Sequence, residues 1–225
     1  MADTLRIKRR ALGGAAGAPG SLAVGELAFN EQDGGLYIGR SNGSVVQVNG
    51  AAPGFLVQIA RQDVSSAVAT VDFTSGIDNT YDEYEIHFYG VQLSTTLALV
   101  LRISQDGGAT WKAGATDYNF AFKYTGSGAS AEGISTGAAF AQIGTVNAPN
   151  ALFGMDGTIK FARTGGGRRA FRHEVVGVAS GTGHWFSSGM GVYVTDTNPF
   201  NGIRFLGHAA GNITAGTFIL YGVKK

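Results

Sequence analysis

The sequence predicts an all-β protein, a small N-terminal β-hairpin module followed by a jelly-roll-like β-sandwich. Three observations carry this. Apolar and polar residues alternate at period two in segment after segment. In 84–91, for example, Glu85, His87 and Tyr89 share one face while Ile86, Phe88 and Gly90 share the other. Glycine makes up 36 of 225 residues, more than twice the usual ~7%, and it sits singly or in pairs between apolar runs as turn punctuation; no Gly-X-Y period marks a collagen. No segment has a convincing helical period. The one short helical possibility is a single turn at 77–82, with Asp78 placed to cap it.

Taken in order, the first elements are short strands at 26–30 and 36–40, joined by a polar turn. Its Asp33-Gly34-Gly35 adopts positive φ without steric cost. A third strand, 45–48, follows the turn Ser41-Asn42-Gly43-Ser44. Asn49-Gly50 and Pro53-Gly54 then mark a boundary. This divides the chain into a module at 1–50, a linker at 51–66 and a sandwich at 67–225. Strands of the sandwich are expected at 67–73, 84–91, 97–104, 118–124, 138–143, 152–161, 170–178, 189–194, 202–206 and 217–223. The run 97–104 is apolar almost throughout, with Arg102 near its end, and reads as a strand buried on both faces. Around ten strands separated by Gly, Ser, Asn and Asp turns argue for a sandwich.

Composition narrows function. The 44% hydrophobic content suits a globular chain. Residues 1–50 carry five Lys/Arg against four Asp/Glu, and the remainder twelve against twelve. A nucleic-acid binder normally shows a basic field, so that class is disfavoured. The basic cluster Arg6-Lys8-Arg9-Arg10 fits the polar rim of a first strand or a docking surface for an acidic partner. There are no cysteines, hence no disulfides, thiolate metal sites or Cys nucleophiles. No apolar run of about 18 residues spans a membrane, and no signal peptide opens the chain.

The pattern LRIKRR…PGSLAVGELAFNEQDGGLYIGRSNGSVVQV, over roughly residues 5–50, resembles the N-terminal attachment module of bacteriophage fibre and receptor-binding proteins. The fragments ATVDFTSGIDNTYDEYEIHFYGV, LRISQDGGATW and GTFILYGVKK, in that order, resemble the C-terminal β-sandwich of phage fibre and spike proteins. The resemblance implies a non-enzymatic virion protein without cofactor, made in the bacterial host cytoplasm. Its module would join other virion proteins and a second and third copy of itself, through Leu5, Ile7, Leu27, Phe29, Leu36, Tyr37 and Ile38. Its tip would bind host cell-surface polysaccharide, with no membrane insertion. A connector or decoration protein without receptor binding is the alternative, and a small glycan hydrolase the minor one.

Candidate sites each have a plainer reading beside the functional one. Ser104-Gln105-Asp106-Gly107-Gly108-Ala109-Thr110-Trp111 matches the Asp-box hairpin. Occurring once, it reads as a structural brace, since a propeller needs repeated blades. Asp78, Asp82, Glu83 and Glu85 are hard oxygen donors without EF-hand spacing, better read as a solvated loop entering a strand. His87, His173, His184 and His208 have no zinc-site spacing. His184 beside Trp185, with Tyr193 nearby, offers a ring face and a polar handle for a sugar; the plainer reading is a Trp anchoring a strand end. Thr164-Gly165-Gly166-Gly167-Arg168-Arg169 lacks the Lys and helix of a P-loop. It reads as a hairpin tip whose Arg168 and Arg169 face an acidic sugar at most weakly. No nucleophile elbow occurs, and the sequence alone does not exclude a pair of hydrolytic carboxylates.

Overall fold

The computed structural model describes residues 7–48, 56–94, 98–126, 129–145, 154–162, 169–178 and 184–223. The chain forms two compact units, Met1–Gly54 and Phe55–Lys225.

The first unit is a four-stranded sheet in sequence order: β1 (Lys8–Arg10), β2 (Leu27–Asn30), β3 (Gly35–Gly39) and β4 (Val45–Gln47). β1 runs parallel to β2, and the other neighbours are antiparallel. The expected hairpin is therefore present, with one strand more than the three read from sequence. Asp33 fixes its turn by accepting from the Gly35 amide at 2.8 Å, while Gly34 adopts φ +66°. The same carboxylate accepts from the Tyr37 hydroxyl at 3.0 Å. Asn30 donates to the carbonyls of Ala15 at 3.1 Å and Gly17 at 2.9 Å. These bonds draw the coil between β1 and β2 across one sheet face, so Ala28, Asn30 and Tyr37 are buried.

Among the described residues the second unit is a two-sheet antiparallel sandwich of twelve strands. They are β5 (Leu56–Val64), β6 (Thr70–Phe73), β7 (Glu83–Leu93), β8 (Ala98–Ser104), β9 (Tyr118–Gly126) and β10 (Ala129–Ala138), then β11 (Ala141–Thr145), β12 (Met155–Ala162), β13 (Arg169–Val178), β14 (His184–Tyr193), β15 (Gly202–Gly207) and β16 (Ile213–Val223). One sheet has eight strands in the order β10-β9-β14-β13-β12-β7-β16-β5, the other four in the order β11-β8-β15-β6. Among the described residues the only helical element is a 3-10 turn, His208–Ala210, and no helix is long and apolar enough to cross a membrane.

Three local expectations change. Residues 56–64, inside the expected linker, are strand β5, because Leu56, Val57 and Ala60 pair along β16 and close one edge of the large sheet. The turn at 77–82 is not helical. The Tyr84 hydroxyl takes the Asp78 amide at 3.0 Å and donates to the Asp78 carbonyl at 2.7 Å, and this non-helical bonding holds Ile77 in the core. Strand β10, whose sequence Ala-Ser-Ala-Glu-Gly-Ile-Ser-Thr-Gly-Ala has almost no apolar alternation, pairs with β9 as the other edge.

The core between the sheets is aromatic. Phe88, Phe205 and Phe218 pack with ring centroids 5.0–6.4 Å apart, and Tyr84 stacks on Phe161 at 5.5 Å. Phe200 meets Phe161 at 5.2 Å. Such rings bury roughly 150–250 Å² each and dominate the hydrophobic stabilisation. In β8 every residue except Arg102 is buried, as the apolar run suggested, and the Arg102 guanidinium reaches the Ala139 carbonyl at 3.0 Å.

His173 is the exception in this core. It lies on the inner face of β13 between Phe171 and Val175, 2% exposed, and neither ring nitrogen has a hydrogen-bond partner among the described residues. Burial pushes its pKa down from 6.5 to about 4. The unfolded chain therefore binds a proton that the folded chain refuses between these values, and stability falls with pH through that window. At ~1.4 kcal/mol per pKa unit, the loss approaches about 3 kcal/mol by pH 4. Replacing His173 with Phe is expected to flatten the acid limb of a Tm-versus-pH curve between pH 6.5 and 4, leaving the neutral plateau in place. An unchanged acid limb would reject His173 as its source.

Candidate functional site

The sequence-predicted sugar residues are not brought together. Trp185 is 6% exposed and points into the sandwich, where a Cβ on Gly177 would come within 2.5 Å of its ring and one on Gly144 within 3.2 Å. The ring thus occupies a slot floored by glycines and is a core anchor. His184, one residue earlier, is exposed on the opposite face because side chains alternate along β14. Tyr193 is 1% exposed; its hydroxyl meets Asp196 at 3.1 Å, and burial reinforced by that carboxylate pushes its pKa up to about 12. Arg169 opens β13, opposite Tyr193 and distant from His184, which pairs with Val178. Arg168 lies outside the described residues.

What the alternation does assemble is the outer face of the eight-stranded sheet. Register places Ile134 (β10), Ala121 (β9), Met190 (β14), Arg172 (β13), Lys160 (β12), Glu85 (β7) and Tyr221 (β16) in one cross-strand line. At ~4.8 Å per strand the line is roughly 29 Å long. Beside it runs a second: Glu132, Lys123, Ser188, Glu174, Thr158 and His87. The β10-to-β12 part of this face encloses a concavity of about 770 Å³, lined among others by Lys123, Ile134, Arg172, Glu174 and Met190.

The charged centre of the line is held in place. Glu85, 9% exposed, accepts from Lys160 Nζ and from His87 Nε2, each at 2.8 Å. His87 Nδ1 lies 3.2 Å from the Tyr89 hydroxyl, within hydrogen-bond distance. Burial works against the Glu85 charge, but the hydrogen bonds from His87 and Lys160 outweigh it and hold the carboxyl below its usual range. Tyr221 lies 4.9 Å from the His87 ring. Of the acidic group read from sequence, Glu85 thus belongs to this network and Asp78 to the turn braced by Tyr84. Strand alternation places Glu85 beside His87 and Tyr89, whereas its ion-pair partner, Lys160, lies 75 residues away and is joined to it by sheet register.

The Asp-box segment is a brace. Asp106 accepts from Ser104 Oγ, the Thr110 amide and the Thr110 hydroxyl, which lower its pKa to about 2. Trp111 lies under the Arg204 guanidinium at 4.3 Å, and Arg204 is bidentate to Asp72 at 2.8 and 2.6 Å.

In the N-terminal unit most of the residues that the sequence resemblance assigns to assembly lie on the open sheet face. Cross-strand pairing sets Leu27 opposite Ile38, Phe29 opposite Leu36 and Val46 opposite Ile38, all on the face that the coil does not cover. Leu27, Phe29, Leu36 and Ile38 are half-buried, while Ile7 and Val48 are 42% and 49% exposed. Tyr37 departs from expectation: alternation puts it on the closed face, bonded to Asp33, where no partner reaches it. Leu5 lies outside the described residues.

No protein-family model, curated protein or solved structure matches this chain. The functional reading therefore stands on these two faces and on the residue patterns themselves. Substituting Trp185 with Ala is expected to destabilise the sandwich by about 3–5 kcal/mol. Denaturant unfolding checks this; a loss under 1 kcal/mol would return Trp185 to the list of surface ligands.

Proposed function

We propose that this chain is a virion fibre or spike protein that self-associates through its N-terminal sheet and contacts the host surface through its sandwich. The observation that carries this reading is the half-open apolar face of the first unit. A four-stranded sheet in about 50 residues closes one face with its own coil and hydrogen bonds, and leaves Leu27, Phe29, Leu36 and Ile38 on the other. A sheet this small is marginal alone, and covering those side chains with further copies supplies the missing burial. A trimer about a common axis is the assembly we propose, in keeping with the fibre-like sequence pattern. Many identical tips on one particle then make weak surface contacts effective through multivalency.

A connector role is favoured by a different observation. Ile134, Val176, Phe186 and Met190, between 44% and 72% exposed, all lie on the outer face of the large sheet, as an interface with another virion protein would require.

The full chain is expected to be trimeric by light scattering at micromolar concentration. The Phe29→Ser, Ile38→Ser double variant is expected to raise the dissociation constant at least about 100-fold, from the apolar burial forfeited. Unchanged thermal unfolding of the sandwich would show that the variant remains folded. A monomeric native chain, or a double variant that still assembles, would overturn the proposed role of this face.

A further inference from the structure

We infer that the concave outer face of the eight-stranded sheet binds a neutral, hydroxyl-rich glycan lying across the strands, with Arg172 and Glu174 as its principal polar contacts and Met190 and Ile134 as its apolar wall. The inference deepens the adhesin reading and rests on it for the biological setting, though the site is argued from its lining alone.

Size is the first argument. About 770 Å³ is the volume of an oligosaccharide-sized pocket, far more than a single ion or small metabolite fills. Charge is the second, and it selects among ligands of that size. Lys123 stands directly opposite Glu132 on the neighbouring strand, and Lys160 is ion-paired with Glu85. Arg172 and Glu174 follow each other on the same face of β13, both exposed. Arg172 is otherwise engaged only loosely, with Glu83 at 3.9 Å. Both signs therefore occur on the face, Glu132 and Glu174 standing among Lys123, Arg172 and Lys160, although Arg172 and Lys160 are themselves cross-strand neighbours. A polyanion, whether nucleic acid or acidic polysaccharide, would meet Glu132 and Glu174 as well as the cations, and gains little net attraction. A sugar hydroxyl both donates and accepts, so it uses a carboxylate and a guanidinium equally well, and hydrogen bonds to charged groups are the stronger class.

Apolar contact is the third argument. Ile134 is 72% exposed and Met190 45%, aligned through Ala121 in the same cross-strand line as Arg172. A pyranose presents C–H surface on its faces and hydroxyls at its rim, matching an apolar strip bordered by mixed charges. The buried carboxylate beneath adds preorganisation. With both Glu85 oxygens taken by Lys160 and His87, the ammonium is held at the groove edge rather than sweeping solvent.

The test is a printed array of neutral hexose and N-acetylhexosamine oligosaccharides beside uronate-containing and sialylated ones, probed with the labelled full chain and with Arg172→Ala and Glu174→Ala. Binding to neutral glycans is expected, reduced about tenfold or more by either substitution. A polyanion ligand gives opposite signs, since removing Glu174 would strengthen it. Absence of any neutral-glycan signal, binding confined to acidic glycans, or neutral binding untouched by both substitutions would each overturn the assignment. Capture of a protein partner through this face without glycan binding would also count against it. Light scattering on the same samples separates the two levels. A trimer that binds no neutral glycan sinks the groove alone, and a monomer that binds through Arg172 and Glu174 sinks the assembly alone.

Discussion

A β-sheet has two faces, and each unit of this chain covers only one of its principal sheet's faces with its own residues. In the first unit the coil pinned by Asn30 and Asp33 closes the side that holds Ala28 and Tyr37. In the second, a four-stranded sheet closes the inner side of an eight-stranded one. Both open faces keep large apolar side chains at the surface. That arrangement costs solubility unless something covers them, and it is where both functional assignments begin.

The two open faces differ in chemistry, and the difference matches the roles proposed for them. The N-terminal face is apolar along its centre, with Arg9, opposite Phe29 and ion-paired with Glu31, at its edge strand. Such a surface suits burial against like surfaces, because its centre holds no charge to desolvate. The sandwich face interleaves both signs with apolar positions and contains a prearranged ion pair. Burying that whole surface against protein would desolvate several charges, whereas a hydrated sugar leaves much of it wet. Its interior counterpart tolerates little polarity: His173, Ser187 and the Trp185 indole nitrogen lie buried on adjacent strands without partners among the described residues, and the aromatic packing around them sustains that cost.

Much of this was legible in the residues. Alternation in 84–91 placed Glu85, His87 and Tyr89 together on the face where the structure finds them, and the apolar run of β8 matched its nearly complete burial. Other features were hidden for physical reasons. Sheet edges carry weak patterns, so β10, rich in Gly, Ser and Ala, left no signal, and β5 was hidden behind the turn residues before it. An expected strand from residue 189 leaves the facing of Trp185 open between sugar contact and strand anchor; with the strand starting at His184, the same period-two rule sends the indole inward. Tyr37 was grouped with Leu36 and Ile38 by proximity in sequence, although adjacent strand residues face opposite ways. Nothing local joins Arg172 to Lys160 or Lys160 to Glu85, and the line across seven strands exists only through register.

The covering of the N-terminal face by other copies is the claim on which most else depends, and the absence of native cysteines makes it directly measurable. Val48 lies on the open face and is 49% exposed in a single chain, while Val24, in the same unit, is 71% exposed. Single thiols at these positions, Val48→Cys and Val24→Cys, would be labelled with a maleimide in the full-length protein across a dilution series. Self-association predicts that the Val48 thiol reacts at least about tenfold more slowly than the Val24 thiol at high concentration, with the gap closing on dilution. Similar rates at every concentration would mean that the face stays open to water, and the account of how this protein assembles would be wrong.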